Sequence, residues 1–290
     1  MDKQQSRSTG EEFNQLARLL FDSASRMWYL SVGLEVGAGL LSVALSFLNA
    51  SGVIALVGAL LGVILLCTGY GLRLRFEDLN DTAETMRRQA AFTEGLDWPI
   101  DAMQATEWKR KVGREIRAKV RVVQRDPDYY NAKQPVGPRR LAEMTIESAF
   151  YTRENYCRFR TLMWWSFGIA SVVTVLILLV TNSQLVPGEL QLPLARAVYA
   201  FIPVVLSVNF LGWALRLNRL IANLRAVEAD LRRHVQADDL TEEGMLRLVA
   251  EYNCQLIEGL PIHPRLWKRW HPEISEIWDN PFESLGAPDG

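Results

Sequence analysis

Four uninterrupted apolar stretches constrain this chain more than any other feature. They run from Trp28 to Ala50, Gly52 to Leu72, Leu162 to Thr181 and Ala197 to Leu215, which is 23, 21, 20 and 19 residues. Each reaches the length of about 20 residues at which an α-helix crosses the hydrocarbon core of a bilayer, so four transmembrane helices are expected. The first is not a cleaved signal peptide, because its apolar run exceeds the roughly 7–15 residues of such a segment and a second span follows at once. The connection Leu48-Asn49-Ala50-Ser51-Gly52 allows only a tight turn, whereas Asn182 to Pro193 is longer, contains Pro and Gly, and carries only Glu189 as a charge. Two hairpins result. The bulk composition conceals this, since 32 basic residues balance 33 acidic ones. The charges are concentrated between the apolar stretches, a segregation characteristic of membrane proteins.

Orientation follows from the basic residues beside the spans, which stay on the cytoplasmic side. Arg18, Arg26, Arg73, Arg75, Arg158, Arg160, Arg216 and Arg219 flank one side, against Arg196 on the other. Both termini and the long middle segment are therefore expected in the cytoplasm. The sequon Asn49-Ala50-Ser51 would then lie outside, too close to the membrane to be more than chance.

The expected organisation is an amphipathic cytoplasmic segment (1–27), a first transmembrane hairpin (28–72), a cytoplasmic helical insert (73–161), a second hairpin (162–215) and a cytoplasmic helical region with a Pro- and Trp-rich tail (216–290). The insert carries 18 basic and 14 acidic residues, and the segment from Arg216 onward 9 basic and 13 acidic. Opposite net charges favour their docking. Leu72, Phe76, Leu79, Ala83, Met86 and Ala90 recur at spacings of four and three, as an apolar helical seam does. Leu217, Leu220, Leu224, Val227 and Leu231 repeat the device after the fourth span. A more polar seam, through Leu141, Thr145, Ser148, Thr152, Asn155, Phe159 and Leu162, leads into the third. The membrane helices thus extend inward as a helical bundle, and the fold class is all-α. Pro99 suits the first turn of a helix from about Ile100 to Val123, and Thr241-Glu242-Glu243-Gly244 opens another that ends near Gly259. Pro261, Pro264 and Pro272 exclude a continuous helix in the tail.

Several features bear on function, each with a plain structural reading beside it. Glu35 is the only acidic or basic residue well inside an apolar span, where a carboxylate is costly unless protonated, paired or wetted. It is either a pore-lining or gating carboxylate or a side chain that meets polar partners at a helix contact. Gly33 with Gly37, and Gly58 with Gly62, form small faces that let helices approach closely, either within one hairpin or between copies of the chain. Pro203 withholds a backbone N–H in the fourth span, with Ser207 and Asn209 nearby, so a kink facing other helices is expected, and a gate at Pro203 and Asn209 is the functional version.

The run Lys109-Arg110-Lys111, Arg114, Arg117, Lys119, Arg121 and Arg125 is a face docked on the acidic C-terminal region, a surface for anionic headgroups, or a phosphate site. In the loop after Asp128, Tyr129, Tyr130, Lys133, Arg139 and Arg140 precede a helix N-terminus. Tyrosine stacking with Arg–phosphate pairing is the chemistry a nucleotide site needs, and ordinary loop packing is its alternative. The tail from Pro264 to Pro272, with Trp278 beyond, reads equally as an interfacial segment or as a segment docked on the bundle.

Catalytic motifs are missing: there is no P-loop, no GxSxG and no HExxH, and His234, His263 and His271 lack metal-ligand spacing. Three cysteines without paired spacing exclude a disulfide framework, and Cys67 lies within an apolar stretch. No enzyme, metal or cofactor is expected, and no groove-reading motif points to polymeric nucleic acid.

The arrangement resembles the SMODS-associated four-transmembrane effectors and the related SLATT-type proteins of bacterial nucleotide-signalled antiphage systems. The likeness is carried by the two separated hairpins with a helical insert and by Tyr129-Tyr130 to Pro138 leading into Glu147-Ser148-Ala149-Phe150. It extends to the closing stretch from Glu251-Tyr252 to Trp278, with Leu260-Pro261-Ile262-His263-Pro264 inside it. The resemblance implies a toxic, oligomeric effector of the bacterial inner membrane. A phage-triggered signal, often a cyclic oligonucleotide, makes such a protein permeabilise or depolarise that membrane in abortive infection. A non-toxic membrane scaffold and a housekeeping channel or transporter subunit are the alternatives.

Overall fold

The computed structural model describes residues 3–47, 52–113, 116, 118, 130, 132–182, 210–237, 240–257 and 259–279. Among the described residues all regular structure is helical, as expected for an all-α chain. The helices are α1 (Lys3–Phe47), α2 (Val53–Leu96), α3 (Ala102–Lys111), α4 (Pro138–Asn182), α5 (Phe210–Ala237), α6 (Glu242–Ile257) and α7 (Pro264–Asp279). Two compact units emerge: one from Met1–Ser25, Glu77–Arg158 and Leu217–Gly290, the other from Arg26–Phe76 and Phe159–Arg216. Helices α1, α2, α4 and α5 each contribute residues to both units.

The second unit is apolar. Among the described residues, α1, α2 and α4 are long and apolar enough to cross a membrane. In α2, Val53, Ile54, Leu56, Leu60, Val63 and Ile64 each leave more than half of their surface exposed. An apolar face of that extent belongs in lipid rather than water, and it marks a multi-pass membrane protein. The fourth apolar stretch lies outside the described residues up to Asn209, so Pro203 and Asn209 receive no structural description. Helices α1 and α2 lie side by side where Leu45 presses on Gly58 and where a Cβ on Gly69 would sit 3.4 Å from the Ser31 carbonyl oxygen. The turn into α2 places Gly52 at φ +59°, a left-handed conformation that glycine adopts without a Cβ clash.

The first unit has its core where the sequence periodicity places it. Phe13, Leu16, Ala17 and Leu20 of α1 meet Ala83, Met86 and Ala90 of α2, with Ile100, Trp108 and Val112 closing the cluster. The rings of Phe13 and Trp108 meet edge-on with centroids 5.4 Å apart, a favoured geometry for aromatic pairs. All five residues of the predicted α5 seam, Leu217 to Leu231, are buried. Docking of the C-terminal region on the insert is also found, through the ion pairs Arg158–Glu273 and Arg153–Glu228.

Two expectations need correction. Of the helix expected from Ile100 to Val123, α3 starts after Asp101 and stops at Lys111; Ile116 and Ala118 are helical again, and the other residues from Arg114 to Val123 lie outside the described residues. Asp101 accepts a hydrogen bond from the Gln104 N–H, a better cap than Pro99 could supply. Val112 leaves the helix in an extended conformation (φ −72°, ψ 115°), which puts its side chain into the core, and Gly113 follows. The tail is also more regular than its prolines suggest, because α7 starts at Pro264 and continues through Pro272. Pro264 occupies a first-turn position, where its missing N–H costs nothing. Pro272 removes the N–H that would reach the Lys268 carbonyl. Lys268 is on the exposed side of α7, where water can satisfy that carbonyl, and Trp270 and Ile274 anchor the other side.

The end of α2 is set by Asp97 at φ +59°. Its N–H donates to the Thr93 carbonyl at 3.1 Å, the bond of an αL helix cap. Aspartate tolerates that conformation better than most side chains.

Candidate functional site

A cavity of about 490 Å³ lies within the first unit, walled by α1, α2, α4, α6, α7, Tyr130 and the segment before α7. Helical spacing explains which side chains reach it. In α4, Ser148, Thr152 and Asn155 stand four and three residues apart, so the polar seam seen in the sequence becomes one wall. In α7, Trp267, His271, Ser275 and Asp279 follow one another at intervals of four and form another. Glu84 and Arg87 of α2 and Tyr252 of α6 add to the polar lining, with Arg18 and Ser25 of α1, Asn80 of α2 and Glu147 of α4. Gly259 is required at the edge, since a Cβ there would collide with the Tyr156 hydroxyl and come within 2.9 Å of the Leu256 carbonyl oxygen.

Most polar groups around the cavity are already paired. Arg87 donates twice to Glu84, at 2.8 and 3.0 Å, and once to Asn253 Oδ1 at 3.0 Å. It also lies over the Tyr252 ring. Burial opposes its charge most strongly, but Glu84, Tyr252 and Tyr130 outweigh that and raise its pKa, so Arg87 and Glu84 act as a locked ion pair. The Tyr252 hydroxyl shares hydrogen bonds with Ser148 Oγ at 2.9 Å and Thr152 Oγ1 at 3.4 Å. Tyr151 donates to Ser275 Oγ at 3.1 Å, which ties α7 to α4. Burial, with the charge of Glu84 nearby, pushes the Tyr156 phenol upward and keeps it protonated.

Two of the described lining residues keep a fully buried polar atom without a protein partner. Asn155 is 4% exposed and donates through Nδ2 to the Tyr151 carbonyl at 2.8 Å, while its Oδ1 accepts nothing. His271 stacks on Trp267 with centroids 4.4 Å apart and an 18° tilt, and its Nδ1 is buried and unpaired. Burial, assisted by the Arg18 charge, lowers the His271 pKa, so the ring is neutral at physiological pH. Aromatic walls with a few convergent polar groups are the usual make-up of a small-molecule site.

The residues singled out in the sequence are dispersed. Of the loop set, Tyr130 lines the cavity. Arg140 donates to the Gln134 carbonyl at 3.0 Å, Arg139 lies 4.0 Å from Glu143, and Lys133 is exposed. Tyr129 lies outside the described residues, as do Arg114, Arg117, Lys119, Arg121 and Arg125. Lys109 pairs with Glu12 at 2.9 Å.

In the second unit Glu35 has its nearest charge at Arg73, 3.6 Å away, and accepts from Ser31 Oγ at 3.4 Å. Of the four spaced glycines, Gly58 meets a neighbouring helix through Leu45, while Gly33, Gly37 and Gly62 have nothing within 4 Å of a would-be Cβ. Asn155, Tyr151, Tyr156, Tyr252, Trp267 and His271 were not singled out as site residues. The α4 seam and the four-residue spacing in the tail were the signals that could have found them. Among the described residues no group of three His, Cys, Asp or Glu side chains could hold a metal ion. No protein family, curated protein or solved structure matches the chain.

Proposed function

We propose that the chain is a signal-gated membrane effector. A small cytoplasmic ligand occupies the cavity of the first unit, and the apolar helices, in several copies, then permeabilise or depolarise a bacterial inner membrane. In this reading four spans form two hairpins, both termini are cytoplasmic, and the open glycine faces at Gly33, Gly37 and Gly62 are where copies approach one another. The observation that carries the proposal is the lining of the cavity by α1, α2 and α4, the same three helices that are long and apolar enough to cross a membrane. A ligand that shifts any of them within the first unit acts on a helix whose remainder lies in the apolar unit.

The resemblance to the SMODS-associated effectors supports a cyclic oligonucleotide as the signal and antiphage defence as the setting. The test is membrane potential, followed with a voltage-sensitive dye in bacteria expressing the full chain with or without an active cyclic-oligonucleotide synthase. Depolarisation that requires the active synthase is the expected result. An unchanged potential with the chain verified in the membrane favours a scaffold, and constitutive ion-selective flux without growth arrest favours a housekeeping channel subunit.

A further inference from the structure

The cavity holds more information about its ligand than the loop that first suggested one. Its walls include the rings of Tyr130, Tyr151, Tyr156, Tyr252 and Trp267; Tyr156 and Tyr252 are buried and Arg87 lies over the latter, so the half-buried rings of Tyr130, Tyr151 and Trp267 are the faces on which a planar ring stacks. Both guanidinium groups on the walls are engaged, Arg87 by Glu84 and Arg18 over the Trp267 ring at 5.7 Å. Bidentate capture of a phosphate by Arg87 would break an existing buried ion pair. The fully buried atoms left unpaired among the described lining residues are instead an amide oxygen, Asn155 Oδ1, and an imidazole nitrogen, His271 Nδ1. An amide oxygen only accepts, so a ligand that satisfies Asn155 brings an N–H or O–H donor. Leaving such a buried acceptor unpaired is costly, which makes the donor a strong selective requirement.

We propose that the cavity is a nucleoside-class site that recognises a planar heteroaromatic base through its N–H edge, with Asn155 Oδ1 as the accepting group, His271 Nδ1 as the second polar contact and the rings of Tyr130, Tyr151 and Trp267 as the stacking surface. Phosphate is not part of the recognised set. The proposal rests on the cavity being the sensor and adds which part of a ligand it reads. Asn155 Nδ2 is fixed on the Tyr151 carbonyl, which leaves Oδ1 as the end of the amide still without a partner.

The test uses the full chain in lipid nanodiscs and calorimetric titration with three probes: adenosine, purine riboside (the same ring without the exocyclic amine) and adenosine monophosphate. Adenosine is expected to bind saturably, purine riboside about tenfold more weakly, the scale set by one hydrogen bond to a buried acceptor, and the monophosphate no more tightly than adenosine. Asn155→Ala should remove the difference between adenosine and purine riboside. His271→Phe, which keeps an aromatic ring on Trp267, should weaken both purines equally. Because the probe comparison needs only the unaltered protein, it stands even if a variant fails to fold.

Absence of saturable adenosine binding, or equal affinity for both purines, overturns the proposal. So does a monophosphate that binds tenfold more tightly than adenosine, since phosphate would then be the recognised group. Membrane potential is read separately. Depolarisation without purine selectivity ends this inference and leaves the effector reading intact, and purine selectivity without depolarisation does the reverse.

Discussion

Glu94 shows how a single carboxyl couples this protein to pH. Burial, reinforced by the charge of Glu11 and opposed by that of Arg140, pushes its pKa up to about 7. Its unfolded value is near the ordinary 4.5, so the folded state binds the proton more tightly. The resulting stability is fully present below the unfolded value and is lost as pH rises through about 7. Glu94→Gln should therefore stabilise the protein at pH 8 by on the order of 1–2 kcal/mol after allowance for screening, seen as a higher unfolding temperature, and change little at pH 4.5. Thermal melts of both proteins at the two pH values check it, and an equal shift at both would remove Glu94 as the cause.

Gly259 makes a second prediction at this scale, because any Cβ there collides with the Tyr156 hydroxyl. Gly259→Ala should cost about 1–3 kcal/mol, the usual range for overpacking, and should weaken adenosine binding by displacing a wall of the cavity. Both Glu94 and Gly259 are visible in the sequence, yet Glu94 carries no mark there and Gly259 reads only as the end of a helix. Their roles come from burial of the Glu94 carboxyl, with Glu11 beside it, and from Tyr156, contacts made by residues far away along the chain.

At the scale of the element, α7 is the informative case. Its register puts Trp267, His271, Ser275 and Asp279 on the cavity while Trp270 and Ile274 are buried. Trp278 packs beside Phe150, with centroids 5.0 Å apart. Of the two readings of the tail, docking on the bundle is the one the structure adopts. The anchoring contacts make Pro272 tolerable, so restoring the missing N–H should strengthen the helix. Pro272→Ala is expected to stabilise the first unit by about 1 kcal/mol or more, seen as a higher melting temperature with binding retained. A fall in melting temperature would mean that the proline holds a bend that the docking needs. The apolar seams of α2 and α5 were legible beforehand, because a spacing of three and four permits one buried face whatever the neighbour is. The boundary of α3 was not, because burial of Val112 competes with continuation of the helix.

At the scale of the whole molecule, the predicted topology places both termini on one side of the membrane and the segment after Asn182 on the other. Cys254 is exposed in the first unit, which the proposal places in the cytoplasm. A cysteine introduced as Ser183→Cys should react with a membrane-impermeant maleimide in intact cells, whereas Cys254 should react only after permeabilisation. Labelling of Cys254 in intact cells would invert the orientation derived from the arginines. Glu35 belongs to this scale too. Its pairing with Arg73 supplies the partner that a carboxylate in an apolar span needs, and Glu35→Gln tests a path for ions by whether flux or its pH dependence changes at constant oligomer size.

The sequence by itself determined the helical class, the membrane-crossing length of the apolar helices and the seams that bury, because hydropathy and periodicity are local properties that need no knowledge of neighbours. It also exposed the polar seam of α4 without saying what it faced. Only the tertiary structure decided that this seam, Tyr130, Tyr252 and one side of α7 converge on a single cavity. Only there do Asn155 Oδ1 and His271 Nδ1 emerge without partners while Arg87 is taken by Glu84. A residue's partner depends on chain segments about a hundred or more positions away, as between Tyr151 and Ser275, and no local pattern encodes that choice.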